Sequence, residues 1–179
     1  MSRRAAPGVA RLTAVLAVVS CSIGPHALAA QSAVPDGLVV YGDADFEWAI
    51  RPLDGDAFPL EELRGRVLFI NLWASWCTPC VREMASIEGL RNRLSDTEVE
   101  FLIVAADRER DVRRYLRRYT YDLPIYMEVS RIPDAFGMRG LPTSWLVDED
   151  GRIVLLRHGE AVWDTDEVEA FVRAVAAGA

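Results

Sequence analysis

The residues best suited to chemistry are Cys77 and Cys80, separated by Thr78 and Pro79 and preceded by Trp76. Two thiols at this spacing can pass electrons as a dithiol and disulfide pair, because a bridge across so short a loop closes with little entropic penalty. The thiolate is the attacking species, and a helix N-terminus favours it through unpaired N–H groups and a partial positive charge. An apolar run through Asn71, Leu72 and Trp73 leads into the pair, and a helical repeat follows it. That order puts the motif at the start of a helix, with Cys77 the expected nucleophile and Cys80 its resolving partner.

Glu83 follows Cys80 by three residues, which places both on one helical face. If that face is buried, desolvation raises the carboxyl pKa and suits Glu83 to exchange a proton with Cys80. The competing reading is a surface glutamate paired with Arg82 or Arg91. Trp76 is expected to be partly exposed and to face a substrate, as are Thr78 and Pro79 inside the motif. Trp73 and Trp145 are candidates to pack around the site, although plain core aromatics are the simpler reading for both. His158 is read as the end of a strand rather than as a ligand.

The elements that must hold these groups follow from periodicity. Residues 67–73 form a continuous apolar run, expected of a central strand covered on both faces. After Cys80, the positions Val81, Met84, Ile87, Leu90 and Leu94 recur at helical spacing. Strands are expected at 99–105, 125–128, 143–147 and 153–157, and helices at 107–119 and 164–177, the last capped by Asp164 or Thr165. Asp54-Gly55 and Asp150-Gly151 mark two hairpins. A short helical turn is read at 61–63 and another at 132–136. The whole is an α/β domain with a mixed sheet and helices on both faces.

Composition agrees with one globular domain: 179 residues, 51% hydrophobic and 26% charged, with a net charge of -7. The first 31 residues contribute three arginines and no acid, so the remainder carries 17 basic against 27 acidic residues, or -10. Such a balance argues against nucleic acid or an anionic membrane as the main partner. The Arg-rich face of 107–119 accordingly reads as a solvated surface. All 20 basic residues are arginine, which excludes lysine Schiff-base chemistry.

The N-terminus has the grammar of an export signal: Arg3, Arg4 and Arg11 precede an apolar run at 12–20, then Ala27-Leu28-Ala29. The run is shorter than the roughly 20 residues that span a bilayer. Residues 1–30 are read as a signal peptide, 31–43 as a linker and 44–179 as the domain. A rival reading makes Val18-Val19-Ser20-Cys21 a lipoprotein signal, with Cys21 the lipid anchor. Either places the domain outside the cytoplasm, in a periplasm or cell envelope where disulfides persist.

Taken together, the 67–73 strand, Trp76-Cys77-Thr78-Pro79-Cys80, Glu83, Gly140-Leu141-Pro142-Thr143 and Val147-Asp148-Glu149-Asp150-Gly151 resemble the TlpA/ResA branch of extracytoplasmic thioredoxin-like thiol-disulfide oxidoreductases. The resemblance covers residues 43–177 and implies a thioredoxin fold with an N-terminal β-hairpin and an inserted βα unit. It makes Cys77 the exposed nucleophile, Cys80 the buried cysteine and Glu83 an acid near the active site. Pro142 becomes a cis-proline whose loop, with Leu141, faces the substrate. Asn71 stands where cytoplasmic thioredoxins carry a buried aspartate, so acid-base work falls to Glu83 or water.

The expected function is reduction of disulfides in envelope proteins, apocytochrome c among them, with electrons from a membrane thiol donor and no cofactor or bound metal. The absence of a histidine between Cys77 and Cys80 tilts the reading toward a reductant. Two rivals are a copper-chaperone module using Cys77, Cys80 and His158, and a thiol peroxidase, whose single-cysteine motif differs from this one.

Overall fold

In the computed structural model, which describes residues 40–178, the chain runs β1 (Gly42–Asp43), β2 (Ala49–Pro52), β3 (Phe58–Pro59), β4 (Leu68–Trp73), α1 (Thr78–Arg93), β5 (Glu100–Ala105), α2 (Glu109–Leu116), β6 (Ile125–Glu128), β7 (Thr143–Val147), β8 (Arg152–His158) and α3 (Asp166–Ala176). Residues 1–30, read from the sequence as an export signal, and Cys21, its alternative lipid anchor, lie outside the described residues. Every position of β4 is buried, as its uninterrupted apolar run requires. It is flanked by β5, parallel to it, and β7, antiparallel.

The eight strands form one mixed sheet in the order β1-β8-β7-β4-β5-β6-β2-β3. The expected N-terminal hairpin is β2–β3, which docks on β6 at the far edge. The expected βα insertion is α2 with β6, whose strand pairs parallel to β5. At the other edge Gly42 and Asp43 pair with Ile153 and Arg152, so the sheet begins within the stretch read from sequence as a linker. The β7–β8 turn depends on Gly151, which holds φ at +85°; a Cβ there would also stand 3.0 Å from the Phe46 ring.

One expectation changes. The inward side chains of all three helices join a single core cluster, with Met84 and Ile87 from α1, Val112 and Tyr115 from α2, and Val168 and Val172 from α3. The opposite sheet face is covered by Trp48, Leu60, Ile132 and Phe136, which lie in loops and two 3-10 turns. For α1 and α2 the reason is topological. The crossovers β4-α1-β5 and β5-α2-β6 step the same way across the sheet, and two right-handed crossovers of one sense put both helices on one face.

Helix α2 is also shorter than its periodicity suggests. Asp107 stays out of it because its carboxylate accepts the Ser75 N–H at 3.1 Å and the Ser75 hydroxyl at 2.5 Å. Helix α3 is capped by Thr165, whose hydroxyl accepts the Val168 N–H at 3.2 Å.

Candidate functional site

Strand β4 ends at Trp73, and the chain turns into α1 through Ala74, Ser75 and Trp76. The Cys77 N–H donates to the Ala74 carbonyl at 3.0 Å, and the Ser75–Asp107 bonds tie this turn to the chain entering α2. Cys77 occupies the N-cap of α1, and its Sγ accepts the Cys80 N–H at 3.4 Å. Pro79 sits in the first turn, where its missing N–H removes no helical bond. Cys77 and Cys80 are joined as a disulfide, with their Cα atoms 5.3 Å apart.

Burial separates the two sulfurs less than expected. Cys80 is fully buried, but Cys77 is itself only 6% exposed. It belongs to the helix-side core, against which Leu141 also packs. Beside it Trp76 stands 69% exposed and Thr78 is exposed, while Pro79 is half-buried. The exposed surface of the motif is thus mainly Trp76 and Thr78, with Cys77 a small window between them.

The Leu141–Pro142 peptide is cis. Register carries Pro142 toward the motif: Thr143 pairs with Leu72, so Pro142 lies abreast of the end of β4, where the cysteine turn departs. The turn before it is closed by the Thr143 hydroxyl donating to the Gly140 carbonyl at 2.6 Å. Leu141 is half-buried and touches both core clusters. It borders an open groove of about 390 Å³ whose walls include Leu72, Ile132, Pro133 and Met138.

Glu83 is 2% exposed and lies one turn beyond Cys80 on the inner face of α1. Its Oε1 accepts Asn71 Nδ2 at 2.8 Å; its Oε2 accepts the Ala161 N–H at 3.0 Å and Trp163 Nε1 at 3.2 Å. Burial pushes its carboxyl up from 4.5 to about 7, against the pull of these three donors, with a smaller upward push from the Glu160 charge. The surface ion pair considered for it does not form, because Arg82 pairs with Glu160 and Arg91 with Asp122. Gly89 makes this packing possible: a Cβ there would lie 2.8 Å from the Asp164 Cβ, and Asp164 adjoins Trp163.

Asn71 is fully buried and uses both amide hydrogens, one to Glu83 and one to Ser144 Oγ at 2.9 Å. Its Oδ1 has no partner among the described residues. Trp73 lies on the helix side, 5.5 Å from the Tyr115 ring. Trp145 does not approach the cysteines: it lies in the other cluster against Trp48 and Phe136, its Nε1 bonded to the Phe136 carbonyl at 2.7 Å. Alternation along β7 decides this, since neighbouring strand residues face opposite ways. His158 ends β8, and its ring Nδ1 lies 3.3 Å from the Thr143 hydroxyl, with the Arg139 charge nearby. Those residues also contain no group of three His, Cys, Asp or Glu side chains able to hold a metal.

Sequence reasoning missed four contributors: Ala161, Trp163, Ser144 and Asp107. Asp107 before a helical repeat resembles an N-cap, and nothing local shows that it serves the cysteine turn instead. The other three reach the site from distant segments and leave no local signal.

The Redoxin family profile matches residues 30–172. Over 147 residues the chain is 33% identical to the thiol-disulfide oxidoreductase ResA of Halalkalibacterium halodurans, covering 81% of this chain and 83% of that one. Among solved structures, a protein assigned as the thiol:disulfide interchange protein DsbE of Chlorobium tepidum superposes with a TM-score of 0.66 at 23% identity, covering 78% of this chain and 99% of that one. A second protein of that organism, a thiol:disulfide interchange protein of the thioredoxin family, gives 0.59 at 20% identity, with the same coverage. The fold is thioredoxin-like.

Proposed function

Because this chain belongs to the Redoxin family, and its relatives are thiol-disulfide oxidoreductases, we propose that it reduces disulfides in partner proteins outside the cytoplasm through Cys77 and Cys80. The observation that carries the reading is the disulfide at the N-cap of α1 with a buried acid one turn behind it.

In the reduced protein the Cys77 thiolate, favoured by the helix N-terminus, attacks one sulfur of a partner disulfide. A mixed disulfide forms and the partner's other sulfur leaves as a thiolate. Cys80 then loses its proton and attacks Cys77, releasing the second partner thiolate and closing the Cys77–Cys80 bond. The partner gains two electrons and this chain loses two, which a membrane thiol donor must return.

Glu83 is suited to take the Cys80 proton, since its pKa of about 7 matches a group that exchanges protons near neutrality. Trp76, Thr78, Pro79 and Leu141 form the surface offered to the partner, and the Pro142 loop offers backbone groups to its chain. The groove beside Leu141 has the apolar lining expected of a site for a partner's side chain. The family resemblance favours apocytochrome c as substrate and export by residues 1–30, with Cys21 the alternative lipid anchor.

The test is to trap partners on a Cys80→Ala variant expressed in its host, where the mixed disulfide should persist on Cys77. Recovery of envelope proteins with paired cysteines supports the reading. Absence of any thiol-sensitive adduct, with Cys77 inert to small disulfides, removes it. Fractionation of the host, with and without Cys21→Ser, separates a free exported domain from an anchored one.

A further inference from the structure

The segment from Asp107 to Tyr119 carries six arginines and three acids, a net +3 within a chain of -7. Its charges are unevenly compensated. Arg113 is matched by Glu109 and Asp54. Arg108, Arg110 and Arg114 all turn to the one buried carboxylate of Asp111, at 2.9, 3.5 and 2.6 Å. One negative charge cannot neutralise three positive ones, and Arg117 and Arg118 form no ion pair among the described residues. The surplus positive charge stands beside the cysteine turn, because Asp107 binds Ser75.

A cleft of about 230 Å³ opens between that turn and α2, with Trp76, Arg114, Tyr115, Arg118 and Tyr119 in its walls together with Asp111, the carboxylate that the three arginines already share. Trp76 is 69% exposed and Tyr119 51%. Tyr119 is held in place by stacking on Tyr115 at 4.8 Å, and Tyr115 packs on buried Trp73 at 5.5 Å. Exposed Trp, Tyr and Arg around one hollow are the residue types that concentrate binding energy at protein interfaces. Arginine forks favour carboxylates. Trp76 directly precedes Cys77, so the cleft is walled by the same turn that carries the attacking cysteine.

From this juxtaposition we infer that the cleft between Trp76 and α2 is a recognition subsite for an acidic segment flanking the partner's disulfide. Arg114 and Arg118 bind its carboxylates, and Trp76 and Tyr119 take the aliphatic part of the same side chains. The inference rests on the reductase reading above. Acidic flanks would otherwise be repelled by this chain's net negative charge, so the subsite also sets the orientation in which such a partner docks.

The test compares two peptides, each with one internal disulfide, flanked by glutamates in one and by arginines in the other, with neutral hydroxyethyl disulfide as the reference substrate. At low salt the acidic peptide should show a kcat/KM roughly tenfold higher than the basic one, and the gap should close at about 0.5 M salt. The double variant Arg114→Glu, Arg118→Glu should lose that preference while reducing hydroxyethyl disulfide at the unaltered rate. Equal rates for the two peptides, with the neutral substrate turning over, overturn the inference. So does binding of phosphatidylglycerol vesicles without a preference between peptides, which would assign the arginines to a lipid surface. Failure on the neutral substrate by the unaltered protein overturns the reductase reading, and the subsite with it.

Discussion

Asn71 Nδ2 donates to Glu83 Oε1 across 2.8 Å, joining the middle of β4 to the inner face of α1 by a bond between two buried groups. The second amide hydrogen of Asn71 goes to Ser144, and its Oδ1 is left without a partner among the described residues. Three N–H donors therefore converge on the Glu83 carboxylate, which suits the ionised form. The protonated form needs an acceptor, and half a turn of the Asn71 amide would present Oδ1 to it. Burial and hydrogen bonding thus oppose each other at Glu83, and burial prevails.

Glu83→Gln isolates that balance. Glu83 titrates near 7 when folded instead of at 4.5, so between those values the folded state binds more protons than the unfolded. Its stabilising contribution is complete below that window and is lost as pH rises through it. Glutamine does not ionise, so the variant should gain on the unaltered protein by up to about 3 kcal/mol from acid to mildly alkaline pH. Denaturant unfolding of the oxidised proteins at about pH 5 and about pH 8 checks this. The Cys80 thiol titration should also move down, because a negative neighbour on its helix face is gone; a stability difference flat with pH and an unmoved thiol titration would leave Glu83 without this role.

Cys77→Ser should abolish disulfide reduction, a loss of at least about a thousandfold, with little change in far-UV circular dichroism. Serine keeps an oxygen to cap α1 but cannot form a mixed disulfide. Turnover retained by this variant would remove Cys77 as the nucleophile.

Trp76→Ala should leave stability within about 0.5 kcal/mol, because the ring is exposed. KM for a protein disulfide should rise about tenfold, the effect of losing one aromatic anchor, with a smaller change for hydroxyethyl disulfide. Steady-state kinetics on both substrates test the split. Equal effects on the two would return Trp76 to a purely local role.

Gly89→Ala sets two terms against each other. Alanine in mid-helix gains about 1 kcal/mol of propensity. The new Cβ would stand 2.8 Å from the Asp164 Cβ, and relieving such a contact costs about 1–3 kcal/mol. The clashing atom is next to the backbone and cannot swing aside, so net destabilisation is expected. Because relief displaces the segment carrying Ala161 and Trp163, the Glu83 titration should also rise, readable by carboxyl NMR. A stabilised variant would show that this approach is not tight.

Much of the site was legible because its signals are short-range. Cys77, Cys80 and Glu83 lie within two helical turns, and the apolar repeat after them dictates which face turns inward. Trp145 was harder, since periodicity marks it as buried without saying on which side of the sheet. Alternation along β7 decided that, once pairing with β4 had set the register. The arginines of α2 were visible as a charged face, but their nearness to Trp76 was not.

By itself, the sequence determined the dithiol motif at a helix start, the order of strands and helices, and the helical face shared by Cys80 and Glu83, while the proline loop was marked only through the family resemblance. These depend on caps, turns and periodicities that act within a few residues. Only the tertiary structure decided that Ala161 and Trp163, 78 and 80 residues away, satisfy Glu83, that all three helices share one face, and that Cys77 is nearly covered. Burial and hydrogen-bond partnership are set by segments that meet after the chain has crossed the sheet, and such meetings leave no trace in local spacing.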